Sequence, residues 1–126
     1  MKNTKIVINT KSKNYPIYLG DRVLNTVGKV IKRDLPRVKK IAVISDKKVP
    51  SKFIKILKKS LKKYNVKIYK IIANEKTKSF KVANTLIEKL LQNNLNRSDC
   101  IISFGGGITS DLSAFVSNLT KRGIKF

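Results

Sequence analysis

The sequence predicts an α/β domain: helices covering a parallel sheet, with a β-hairpin at the N-terminus. Three observations carry this. Short apolar runs alternate with segments of helical period, the order that produces parallel strands joined by helices. The run Ile41 to Ile44 is continuously apolar, as in a strand buried on both faces. Three consecutive glycines, Gly105 to Gly107, join a later apolar run to a helix.

Taken in order, Lys5 to Ile8 and Tyr15 to Leu19 read as two strands joined by the polar turn Asn9 to Asn14. Pro16 suits an edge position because it has no N–H for the ladder. A helix is expected from Gly20 and Asp21, with Asp21 as its N-cap and Val23, Leu24, Val27, Val30 and Ile31 as its stripe. Pro36 stops it. Ile41 to Ile44 is a buried strand ended by Ser45 and Asp46. Ser51 to Tyr64 is an amphipathic helix with Phe53, Ile54, Leu57 and Leu61 inward and Lys52, Lys55, Lys59, Lys62 and Lys63 outward. Val66 to Ala73 is the next strand and Lys78 to Gln92 the next helix, burying Val82, Ala83, Leu86, Ile87 and Leu90. Asp99 to Phe104 is a third central strand, and Ile108 to Lys121 the helix after the glycines. Gly123 to Phe126 reads as the start of another strand, so the chain is expected to be a fragment or a truncated product.

Composition narrows the function classes. The chain has 126 residues, enough for one core. No apolar run reaches the ~20 residues that span a bilayer, and no signal-peptide core is present. A single cysteine, Cys100, excludes an internal disulfide, and a reducing, cytoplasmic location is expected. Histidine is absent, which excludes His-based triads, His general bases and His metal ligands within these residues. The net charge of +22 raises the possibility of a basic nucleic-acid-binding module. The lysines, however, lie along the outer faces of at least three elements, and no aromatic residues interleave with them as stacking platforms. A charge-biased surface with no specific nucleic-acid site and no membrane partner is the expectation.

The chemistry-bearing positions follow the strands. At Gly105-Gly106-Gly107-Ile108 a buried strand enters a glycine turn and then a helix. Such a turn lets backbone approach a pyrophosphate, and free N–H groups at a helix start favour an anion. Alone, it is equally a tight connection that binds nothing. Asp46 ends the first central strand, where a carboxylate can accept ribose hydroxyls, though by itself a turn aspartate is the simpler reading. Glu75 and Lys78 follow the second central strand and could pair across one helical turn or hold ligand hydroxyls. All these sites fall at carboxyl ends of successive parallel strands, which independent decoration would not produce.

Arg97-Ser98-Asp99, the apolar strand Cys100 to Phe104, Gly105-Gly106-Gly107-Ile108-Thr109-Ser110-Asp111-Leu112-Ser113-Ala114-Phe115-Val116 and Arg122-Gly123-Ile124 resemble the dehydroquinate synthase family. That family shows R-x-D, an apolar strand, G-G-G-V-x-x-D-L-x-G-F-x-A and then R-G-I/V. Tyr15-Pro16-Ile17 with Gly20, Asp46 in I-S-D-K-x-V, and Glu75-Lys76-Thr77-Lys78 for G-E-x-x-K extend the likeness over nearly the whole chain. Asn74, Ser110 and Ala114 stand where the family has glycines.

The resemblance implies a Rossmann-like, NAD-binding α/β domain over residues 1–126, stopping before an α-helical metal-binding domain. It implies NAD-dependent cyclisation of DAHP to 3-dehydroquinate with loss of phosphate, a step of the shikimate pathway. By carry-over, Asp46, Glu75 and Lys78 hold the adenosine half of NAD, and Gly106, Gly107, Ile108 and Asp111 line the pyrophosphate and nicotinamide side. Arg122 resembles an arginine that reaches a partner's substrate phosphate across a homodimer interface. No catalytic residue and no metal ligand is assigned here, because the family's zinc or cobalt ligands and catalytic lysines would follow Phe126. The 126 residues alone are therefore expected to be inactive. The other readings are a glycerol dehydrogenase-like alcohol dehydrogenase, another sugar-phosphate cyclase, and a non-catalytic remnant.

Overall fold

The computed structural model describes residues 3–126. A two-stranded antiparallel hairpin, β1 (Thr4–Asn9) and β2 (Asn14–Leu19), precedes a three-stranded parallel sheet. The sheet comprises β3 (Lys40–Asp46), β4 (Asn65–Ile71) and β5 (Cys100–Phe104), in the spatial order β4-β3-β5. Helices α1 (Val27–Asp34) and α2 (Ser51–Ser60) cover one face, and α3 (Phe80–Gln92) and α4 (Gly107–Leu119) the other. Pro16 pairs with Val7 in the isolated hairpin, where a missing N–H is tolerated.

The alternation of side chains along β3 divides the core in two. Ile41 and Val43 pack with Ile31, Leu57 and Leu61. Ala42 and Ile44 pack with Ala83, Leu86, Leu90, Leu112 and Val116 on the other face. Each fully buried Leu or Ile of this kind stabilises the fold by roughly 1.5–3 kcal/mol. Gly28 is where α1 meets α2: a Cβ there would lie 2.1 Å from the Ser60 carbonyl oxygen. Its N–H donates instead to Ser60 Oγ at 3.0 Å.

Several boundaries differ from expectation. The first helix opens with a 3-10 turn, Val23–Thr26, and becomes α-helical only at Val27, so Asp21 is not its N-cap. The strand at Ile41 extends through Ser45 and Asp46, because Ser45 pairs with both Lys70 and Phe104. α2 stops at Ser60, and Leu61 packs beneath the following turn. Phe53 stays exposed, with Lys52 Nζ 5.0 Å above its ring. α3 starts at Phe80 because the Ser79 side chain accepts the Val82 N–H, which leaves Lys78 in the preceding turn. β5 is flanked by β3 on one side and on the other by a single parallel bridge from Cys100 to Lys125. The segment after Gly123 thus makes one bridge rather than a strand.

The N-terminal ends of the strands are tied by one buried carboxylate. Asp99, 2% exposed, accepts backbone N–H groups of Lys40 at 2.8 Å, Lys39 at 3.3 Å and Asn96 at 2.9 Å. Cys100, next to it, is buried. Burial first, and the Asp99 charge second, push its thiol up to about 12.

Two outcomes follow. Asp99→Ala leaves three N–H groups without their acceptor and should lower stability by roughly 3 kcal/mol, read by urea unfolding. Cys100 should resist a thiol-disulfide reagent at mildly alkaline pH until denaturant is added. Its pKa is raised in the folded state, so between the ordinary thiol value of about 8.5 and about 12 the folded chain keeps a proton that the unfolded chain loses. Stability should therefore fall as pH rises through that window, and Cys100→Ala should flatten the slope.

Candidate functional site at the carboxyl edge of the sheet

β3 connects through α2 on one face to β4, and β4 crosses back through α3 on the other face to β5. The chain therefore changes direction at the carboxyl ends of β3 and β5, the place where open α/β sheets form a crevice. Asp46 and Gly105 are neighbours there: a Cβ on Gly105 would lie 3.1 Å from Asp46 Cβ and 2.7 Å from Thr109 Oγ1. Only a residue without a side chain permits this approach. Asp46 Oδ1 accepts the Lys48 N–H at 3.0 Å, with the Ala73 N–H at 3.5 Å, so the carboxylate is oriented by the β4 connection.

Gly106 and Gly107 differ from Gly105. A Cβ at either would meet nothing within 4 Å, so their backbone faces open space. Gly106 is the N-cap of α4, without a side-chain cap, and no acidic residue lies in the helix's first turn. The Ser110 N–H already bonds to the Gly106 carbonyl. The N–H groups of Gly107, Ile108 and Thr109 are the helix-start donors that no preceding turn accepts. Thr109 Oγ1 is buried and, among the described residues, has no hydrogen-bond partner.

Glu75 and Lys78 sit on a 3-10 turn, Glu75–Thr77, that follows β4. Asn74 and Thr77 lock it reciprocally: Asn74 Oδ1 accepts the Thr77 N–H at 3.1 Å, and Thr77 Oγ1 accepts the Asn74 N–H at 3.2 Å. Thr77 Oγ1 also donates to the Ile72 carbonyl. Lys78 Nζ reaches Asp111 Oδ2 on α4 at 2.8 Å. The Asp111 hydrogen bond, then its charge and that of Glu75, hold the Lys78 ammonium above the ordinary lysine value. Of the two readings left open for Glu75 and Lys78, the pairing across a helical turn is not formed: Lys78 lies outside the helix and bridges from the β4 connection to α4. Both partners are exposed, so the bridge contributes little to stability and leaves both groups accessible.

The fold brings together Asp46, Glu75, Lys78, Gly106, Gly107, Ile108 and Asp111, all at the carboxyl edge. Arg122 is elsewhere. It lies beyond the C-terminus of the 13-residue α4, about 20 Å along the helix from the glycine turn. The Cys100–Lys125 bridge puts this segment at the amino edge of the sheet. Two features escaped sequence reasoning. One is the Asn74–Thr77 lock, whose N-x-x-T spacing is a capping signal. The other is an apolar shelf of Phe80 and Phe115, an edge-to-face pair 5.7 Å apart, in a cleft of about 310 Å³ beside the Lys78–Asp111 bridge. No local signal marks it, because the two rings come from different helices.

Residues 68–126 match the family model described as 3-dehydroquinate synthase N-terminal. The chain is 39% identical over 122 residues to the 3-dehydroquinate synthase of Pelagibacter ubique, and 37% identical over 122 residues to that of Bacillus cytotoxicus. These alignments cover 97% and 96% of this chain and 33% of each relative, so the chain spans about a third of their length. A solved structure of 2-deoxy-scyllo-inosose synthase, complexed with carbaglucose-6-phosphate, NAD+ and Co2+, superposes with a TM-score of 0.85 at 25% identity. It covers 96% of this chain and 33% of that one.

The three glycines should separate by function. Gly105→Ala pushes a Cβ into Thr109 and Asp46 and should cost about 1–3 kcal/mol. Gly106→Ala and Gly107→Ala enter open space and should change stability by less than about 1 kcal/mol. Urea unfolding of the three variants measures the difference.

Proposed function

We propose that the chain supplies the NAD-binding wall of a 3-dehydroquinate synthase, a reading supported by the match of residues 68–126 to the N-terminal family model and by the likeness to curated synthases. The observation that carries this is the convergence of Asp46, the open glycine turn and the Lys78–Asp111 bridge at one sheet edge. The residues fit a dinucleotide. Open backbone at Gly106 and Gly107 leaves room for a pyrophosphate, and the first turn of α4 presents donors without a competing carboxylate. The unpaired Thr109 hydroxyl is a polar group in want of a partner at the same turn.

On this reading Asp46 and Glu75 accept ribose hydroxyls of the adenosine half, with Lys78 beside them as a point charge. The N–H groups of Gly107 and Ile108 take the pyrophosphate, and Asp111 orients the nicotinamide side while holding Lys78 in place. Bound NAD supplies reversible hydride transfer at a ring alcohol of DAHP, so that phosphate can be lost and 3-dehydroquinate formed. The chain's own contribution is to bind and orient. Arg122, at the amino edge, would serve the substrate phosphate of a second copy in a homodimer, a role suited to a bidentate guanidinium. A cytoplasmic setting goes with this reading.

The zinc or cobalt of the family does not fit these residues. The chain has no histidine, and the described residues hold no group of three or more His, Cys, Asp or Glu placed to share an ion. Its ligands would come from other parts of such an enzyme. Glycerol dehydrogenase-like chemistry is disfavoured by the relatives' names, whereas a sugar-phosphate cyclase with another substrate stays close, given the inosose synthase match.

Calorimetric titration of NAD into the chain should show weak binding, near the millimolar level of about −4 kcal/mol, because one wall of a cleft does not exclude water. Lys78→Ala should abolish it without unfolding the domain. Supplied with NAD and metal, the 126 residues should release no phosphate from DAHP. Chelator-sensitive phosphate release, or NAD binding unaffected by Lys78→Ala, would refute the assignment.

A further inference from the structure

Away from the carboxyl edge, the fold gathers lysines that the sequence leaves spread out. Between residues 47 and 74 there are ten lysines and no carboxylate. Five ammonium-bearing side chains, Lys29 and Lys32 of α1 and Lys59, Lys62 and Lys63 of α2 and its following turn, line one cleft of about 510 Å³. No acidic residue lines it. Elsewhere the acidic residues have work: Asp34 pairs with Arg33, Asp111 with Lys78, and Asp99 is consumed by backbone.

The floor of the cleft is rigid. Ser60 Oγ accepts the Gly28 N–H at 3.0 Å and donates to the Asn25 carbonyl at 3.0 Å. The Tyr64 hydroxyl donates to the Gly28 carbonyl at 3.4 Å. With the close helix crossing at Gly28, these bonds fix the separation of α1 and α2, and so the width of the cleft. Like charges lining one cleft repel one another, over a range set by the ~8 Å screening length of physiological saline. A multivalent anion seated among them would replace that repulsion by attraction. Tyr64 is the single aromatic residue of the lining and its hydroxyl is engaged, so no stacking platform for successive bases exists.

We propose that the α1–α2 cleft is a binding site for a compact multivalent phosphate anion, separate from the carboxyl-edge site and independent of its assignment. Lys29, Lys59 and Lys63 supply the charge from its two walls.

Inorganic tripolyphosphate is the probe, titrated calorimetrically into the chain at physiological ionic strength. One saturable site per chain is expected. The variant K29Q/K59Q/K63Q should weaken it about tenfold, whereas K39Q/K52Q/K55Q, which removes the same charge outside the cleft, should leave it nearly unchanged. Circular dichroism confirms that both variants keep the fold. Equal weakening by the two variants, several weak sites, or no saturation would overturn the proposal and leave a diffuse charged surface. Displacement of tripolyphosphate by a single-stranded oligonucleotide at lower phosphate concentration would overturn it in favour of a nucleic-acid occupant.

Discussion

Strand β3 is held by parallel partners along both edges and by helices on both faces, and the placement of every candidate group follows from it. Residues Ile41 to Ser45 are at most 1% exposed. Their alternation divides the core into two clusters, each closed by a different helix pair. Because β3 is central, its carboxyl end is flanked by the connections leaving β4 and β5. Asp46 therefore lies between the Glu75–Lys78 turn and the glycine turn without any residue being recruited from far away.

The two ends of the sheet solve opposite problems. At the amino edge a carboxylate is buried and fully used: Asp99 neutralises backbone donors where the strands start, and its neighbour Cys100 is kept neutral by the same desolvation. At the carboxyl edge the polar groups are half-used. Lys78 and Asp111 meet in the open, the glycine backbone faces space, and Thr109 has a buried hydroxyl with no partner among the described residues. Of these, only the Thr109 hydroxyl is costly, because a buried polar group without a partner loses its water and gains nothing in return.

Charge follows a related division. Of seven acidic residues, Asp46, Glu75 and Asp111 collect at the carboxyl edge, while the α1–α2 cleft is lined by five lysines and no carboxylate. A chain of net charge +22 thus presents a mixed, hydrogen-bonding site at one place and a purely cationic cleft at another. Ligands with hydroxyls and ligands with dense negative charge would be drawn to different faces.

The element order, the parallel sheet and the strand-end placement of Asp46, Glu75, Lys78, Gly106 and Asp111 are legible in the sequence, because apolar runs and helical period are local properties read over a few residues. The likeness of Arg97 to Gly123 to one family was equally legible there. Only the tertiary structure decided that Lys78 pairs with Asp111 and not with Glu75, since the Asn74–Thr77 lock and the Ser79 cap exclude Lys78 from α3. The same holds in part for Gly105, where an added Cβ would collide with the Thr109 hydroxyl at 2.7 Å and press on Asp46, a residue 59 positions earlier, at 3.1 Å. The place of Arg122 is likewise set by the fold: the length and direction of α4 carry it to the amino edge, away from the glycine turn. The phenylalanine shelf and the lysine cleft had no signature in the sequence, because each is made where two helices meet, and which helices meet is settled by packing around β3.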